Sequence, residues 1–193
     1  MHGNTQLFFP GMRRLSENSV INIKNKSHSV TAELETPESG ASGVIIAHGG
    51  NMGGWCLYMH DGKLRYHYNF LGLKHFDVTA TSLLPAGKQQ VRVEFAYDGG
   101  GLGKGDTVTL YVDGDKVGEG RVDRTHAFFF SMDETLDVGS DQEGEPVSPD
   151  YGPRGNAFTG KINWVQIDID AAAKDIDHKM GAEERFMVAI ARQ

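Results

Sequence analysis

The chain has 193 residues, 39% of them hydrophobic and 23% charged, which supplies a real core and excludes an intrinsically disordered segment. Its net charge of −7 is spread without a basic block, which argues against nucleic acid and anionic membrane surfaces, since both need clustered Lys and Arg. A single cysteine, Cys56, excludes an intrachain disulfide; no apolar run is long enough for membrane insertion, and Met1–Arg14 lacks the order of a signal peptide, so the compartment stays open.

Asn4–Asn25 mixes polar residues with a short apolar patch at Leu7–Phe9 before Pro10-Gly11, and reads as a linker or extension over residues 1–26. From Ser27 the period becomes two: Val30, Ala32 and Leu34 alternate with polar residues across Ser29–Glu35, the mark of a half-buried strand. Val44–Ala47 is a second, short strand. Trp55–Phe70 is a hairpin turning at Asp61-Gly62, where both positions accept positive φ. That turn sets the pairs Met59–Leu64, Leu57–Tyr66 and Trp55–Tyr68 on one face, with Cys56–His67 and Tyr58–Arg65 on the other. A slip of one residue would mix the faces, so the register is well specified.

Lys74–Thr79, Gln89–Asp98 and Thr107–Val112 alternate again, and the last turns through Asp113-Gly114-Asp115-Lys116 into Val117–Val122. Further strands are expected at Ala127–Ser131, Leu136–Gly139 and Phe158–Ile169, with a polar loop at Ser140–Asn156. Many short strands with Gly-rich turns predict an all-β fold, a two-sheet antiparallel jelly-roll sandwich over residues 27–171. Residues 172–193 form a tail, helical over Ala182–Arg192 with Phe186 and Ile190 one turn apart beside Met187.

The glycine run Gly99–Gly105 lacks the Ser or Thr after Lys104 and the following helix that a phosphate loop needs, so it reads as a flexible connection. Cys56 and His67 lack the orienting partner and oxyanion site of a thiol catalyst. The eight histidines have no zinc spacing. Asp113 and Asp115 offer oxygens to calcium, but Asp-Gly is also simply good turn chemistry; beyond that calcium no cofactor is called for. Asp133 and Asp137 would share a strand face with Glu134 turned away, which is not the carboxylate pair of a sandwich glycosidase. For a ligand surface the candidates are Tyr58, Tyr111 and Trp164, whose parity is opposite to their apolar neighbours, together with Arg65 beside Lys63.

Gly54–Tyr58 with Asp61–Leu64, Tyr68–Leu73, Leu84–Lys88, Phe95–Gly105, Leu110–Gly114, Asp133–Gly139, Phe158–Ile162 and Val188–Gln193 together resemble the C-terminal domain of long bacterial arylsulfatases. The final-strand pattern is also similar to concanavalin A-like and laminin-G-like jelly rolls. The resemblance implies two stacked sheets. It does not carry the catalytic part over, because Cys56 is followed by Leu57-Tyr58-Met59-His60 and not by the formylglycine motif. The resulting expectation is a non-catalytic accessory domain or fragment, without turnover of its own, whose partner is a sulfatase catalytic domain or a second copy of the chain. The alternative is a lectin-like module that binds a glycan.

Overall fold

Alternation of apolar and polar residues gives each strand one face to bury, and two such sheets bury their apolar faces against each other. The computed structural model describes residues 4–131, 135–142 and 144–169, and shows this arrangement. The strands are β1 (Thr5–Phe8), β2 (His28–Thr36), β3 (Gly43–Gly50), β4 (Gly53–His60), β5 (Lys63–Phe70), β6 (Lys74–Thr79), β7 (Gly87–Tyr97), β8 (Asp106–Val112), β9 (Asp115–Val122), β10 (Leu136–Val138) and β11 (Lys161–Ile169). A six-stranded sheet runs β1-β11-β2-β7-β8-β9 and a five-stranded sheet runs β10-β3-β4-β5-β6, all pairs antiparallel. The fold is an all-β sandwich of two antiparallel sheets.

The β4–β5 hairpin has the expected register, from His60 opposite Lys63 to Trp55 opposite Tyr68, and Asp61 and Gly62 both take positive φ. Trp55, Leu57, Met59, Leu64, Tyr66 and Tyr68 accordingly enter the core with Val30, Leu34, Val93, Leu110, Val165 and Ile167. His28, His48 and Asp106 are among the titratable groups buried with them. Burial pushes the pKa of His28 and of His48 down to about 4, and pushes Asp106 up to about 9, with Asp98 adding to the effect. Neither Asp106 carboxylate oxygen has a hydrogen-bond partner among the described residues.

Two expectations are corrected. The segment before Ser27 is not a bare linker: Thr5–Phe8 pairs with β11, and Phe8, Val20, Ile21 and Ile23 join the core. Its alternation is too short to announce a strand, and pairing partners more than 150 residues away complete it. Ala127–Ser131 is an irregular crossing, not a strand, held by the His126 amide donating to Tyr68 Oη (2.7 Å) and by Phe130 buried in the core. The expected tail helix lies outside the described residues.

Candidate functional site

The outward residues of β4 and β5 bring two of the expected ligand residues together. Tyr58 and Arg65 face each other across the hairpin and both donate to Asp150 Oδ2 at 2.6 Å. Tyr58 is fully buried, because Ser148, Asp150 and Tyr151 of the 140–156 loop lie over it with Val44, Ala47, Cys56 and Val147. This corrects its expected exposure: parity gave the right face, but the loop covers it. Burial and then the Asp150 contact push the Tyr58 phenol far up. Burial works against the Arg65 charge, but the Asp150 hydrogen bond outweighs it and raises the guanidinium. Asp150 is held below the ordinary carboxylate range: burial opposes this, and the Tyr58 and Arg65 hydrogen bonds prevail. The cluster is a clamp on the loop, with its polar atoms turned to one another.

Cys56 does pair with His67. Burial pushes its thiol well up, so it is no ready thiolate. His67 instead bonds Asp77 (2.6 Å) and His75 (3.1 Å) toward the β6 edge. Asp113 and Asp115 behave as turn residues: Asp113 has φ of 51° and its Oδ1 accepts from the Gln90 amide, while Asp115 is exposed. No cluster of three or more His, Cys, Asp or Glu suited to a metal ion occurs among the described residues.

The other two expected residues lie on the opposite side of the molecule. Trp164 faces outward from β11 but is buried under Leu7 and Phe9, the margin supplied by β1. Its expected exposure is thus also corrected. Tyr111 is half-buried beside Arg92, and its phenol is raised by burial first and by Glu94 second.

The register turns this outer face into four cross-strand rows: Lys161–Glu35–Lys88, Trp164–Glu33–Gln90, Gln166–Thr31–Arg92–Tyr111, and Asp168–Ser29–Glu94–Thr109. A bulge between Ile162 and Trp164 inserts Asn163, and re-aims its amide so that Nδ2 donates to Glu33 Oε1 (3.1 Å) and Glu35 Oε1 (3.0 Å). Lys161 Nζ reaches Glu35 Oε1 at 2.8 Å and Lys88 Nζ reaches Glu33 Oε1 at 3.0 Å. The first row borders an open depression of about 610 Å³, which Thr36, Pro37, Gly87 and Thr159 complete. Gly160 closes the floor; a Cβ there would lie 2.7 Å from the Glu35 carbonyl oxygen, so only glycine lets the two backbones approach this closely.

Lys161 first, and then Asn163, hold the Glu35 carboxyl below its ordinary range. A glycosidase acid needs the opposite shift, so this carboxylate suits ligand contact and not proton donation. Ammonium, hydroxyl and carboxylate groups around an open hollow suit contact with polyhydroxylated molecules. Residue types alone do not reveal Glu33, Glu35, Lys88, Lys161 and Asn163 as a group, because the signal lies in the register between strands far apart in the chain.

No family model matches the chain, and no curated protein matches it. Several solved structures share the fold. They include the CBM40 of the Ruminococcus gnavus IT-sialidase bound to α2,3-sialyllactose (TM-score 0.50, 11% identity, 85% of this chain and 82% of that one). Domain 4 of AbnA, a GH43 extracellular arabinanase from Geobacillus stearothermophilus, in complex with arabinotriose, is also similar (0.52, 13%, 78% and 63%). A third is the leech intramolecular trans-sialidase (0.50, 14%, 95% and 26%). At these identities the likeness establishes a concanavalin A-like sandwich. No helix among the described residues is long and apolar enough to cross a membrane.

Proposed function

We propose that the chain is a non-catalytic glycan-binding module, with the depression beside Lys161, Glu35 and Lys88 as its site. The carrying observation is the Lys161–Glu35–Lys88 row at the rim of an open hollow of about 610 Å³, with buried Asn163 donating to Glu35 from behind. Two similar folds are described as complexes with sialyllactose and with arabinotriose, which supports an oligosaccharide as the class of ligand. Lys161 and Lys88 bind sugar hydroxyls or an acidic sugar's carboxylate, while Glu35 accepts from hydroxyls. The test is titration calorimetry of the full chain against sialylated and arabinose oligosaccharides found on a glycan array. Saturable binding that weakens at least about tenfold in Lys161→Ala and Lys88→Ala is expected, equivalent to about 1.4 kcal/mol. A blank array, or binding indifferent to both substitutions, overturns the reading.

A second reading is the accessory domain of an arylsulfatase. It is favoured by the sulfatase-like motif set and by an apolar end where Leu71 and Leu73 in the β5–β6 turn and Phe128 and Phe129 stand exposed. In this reading that end docks on a sulfatase catalytic domain or on a second copy. Co-expression with such a domain should raise its thermal stability or turnover. An unchanged partner removes the reading, and aryl sulfate hydrolysis by the chain alone would displace both.

A further inference from the structure

The depression lies where β2 finishes and β7 and β11 begin, and the cations around it already have partners. Its charged lining residues are Lys161, Lys88 and Glu35. Lys161 Nζ donates to Glu35 Oε1 at 2.8 Å, and Lys88 Nζ lies 3.0 Å from Glu33 Oε1. Strand register holds this arrangement, since Glu35 stands between Lys161 on β11 and Lys88 on β7. Two ammonium groups thus meet two carboxylates, and their charges cancel. Among the described residues no arginine lines the depression, so the planar fork that grips a carboxylate or sulfate through parallel hydrogen bonds is missing. Glu35 Oε1 is fully engaged, because Asn163 Nδ2 also donates to it at 3.0 Å. Its other oxygen, Oε2, accepts no hydrogen bond among the described residues, and the Lys161 ammonium has further hydrogens to donate.

We propose that this site selects neutral oligosaccharides and discriminates against sialylated, uronic or sulfated ones. The inference rests on the reading of the depression as a glycan site and adds the class of sugar. A vicinal diol matches the groups on offer. One hydroxyl donates to Glu35 Oε2 while its neighbour accepts from Lys161 Nζ, and the ion pair between them stays whole. A carboxylate or sulfate brought to Lys161 would lie within a few ångströms of Glu35, where repulsion offsets most of the attraction. One that drew Lys88 away would leave Glu33 without its ammonium partner. The chain's net charge of −7 acts in the same direction. Selectivity here comes from a repulsive element against the wrong ligand as much as from contacts to the right one.

The test applies the full chain to an array of neutral, sialylated, uronic and sulfated oligosaccharides. Titration calorimetry then compares the best neutral glycan with its carboxylated or sulfated counterpart. The neutral member should bind at least about tenfold more tightly, and its affinity should change less than about twofold from low to high salt. Glu35→Gln, checked for an unchanged melting temperature, leaves Lys161 without its carboxylate and should narrow that gap at least about fivefold. Acidic glycans as the tighter ligands, weakening as salt rises, overturn the proposal and leave the glycan site standing. A gap indifferent to Glu35→Gln overturns it as well, because the selectivity would then lie outside this pair. An array blank for every class defeats the glycan reading itself, and this inference with it.

Discussion

The two outer faces of the sandwich begin from the same strand alternation and take different courses. On the five-stranded sheet the outward residues include Val44, Ala47, Cys56 and Tyr58, which are apolar enough to form a second small core under the 140–156 loop. The loop is fastened by polar contacts: the Val147 amide and Tyr151 Oη both donate to Asp141 Oδ2, at 3.0 and 2.7 Å, and Asp150 takes Tyr58 and Arg65. On the six-stranded sheet the outward residues are mostly polar or charged, with Trp164 and Tyr111 among them, and the Lys161–Glu35–Lys88 row borders a depression at one end. One face spends its side chains on packing and the other keeps charged groups arranged toward a hollow. The comparison teaches that exposure in a sandwich depends on what crosses a face as well as on parity.

Substitutions should separate the faces by size of effect. Tyr58→Ala removes a fully buried ring and strands the groups that bonded it, so a loss of about 3–5 kcal/mol in chemical denaturation is expected. Tyr111→Ala, half-buried on the other face, should cost about 1 kcal/mol or less. Equal losses would break the contrast.

The space between the sheets supplies the next two effects. Asp106 has a folded pKa near 9 against an ordinary 3.8, so folding favours its protonated form. Stability is full below about pH 4 and falls as pH rises toward 9. Asp106→Asn should therefore gain on the order of 2–4 kcal/mol at pH 7 and flatten the alkaline limb of the stability profile. A variant no more stable than the parent at pH 7–9 would show the carboxyl to be ionised and paired.

His28 and His48 titrate in the opposite sense. Their folded values near 4 lie below the ordinary 6.5, so stability is full above about pH 6.5 and is lost as pH falls toward 4. Each should contribute on the order of 2–3 kcal/mol to that loss, and a His48→Phe chain should show a shallower acid limb in urea melts. An unchanged acid limb would place the titration elsewhere. The smallest effect belongs to the proposed site: Lys161→Ala breaks an exposed ion pair and should shift stability by less than about 0.5 kcal/mol. A larger loss would make Lys161 a structural residue, and its effect on glycan binding would then carry no meaning.

The sequence by itself determined which side of each strand faces inward. Val30, Leu34, Val93, Leu110 and Ile167 reveal the core by alternation, and Asp61-Gly62 locks a hairpin whose every pair follows from the turn. These are local properties, since a period of two and a two-residue turn are complete within a few residues. Tertiary structure decided what lies over each outer face. Tyr58 is covered by a loop whose Asp150 is 92 residues away, and Trp164 by β1, the segment that reads as a linker. It also decided the candidate site, where Lys161 reaches Glu35 across 126 residues of chain and a bulge brings Asn163 to two carboxylates. Cover and charge rows arise from pairing between distant strands, which leaves no periodic trace in any one of them.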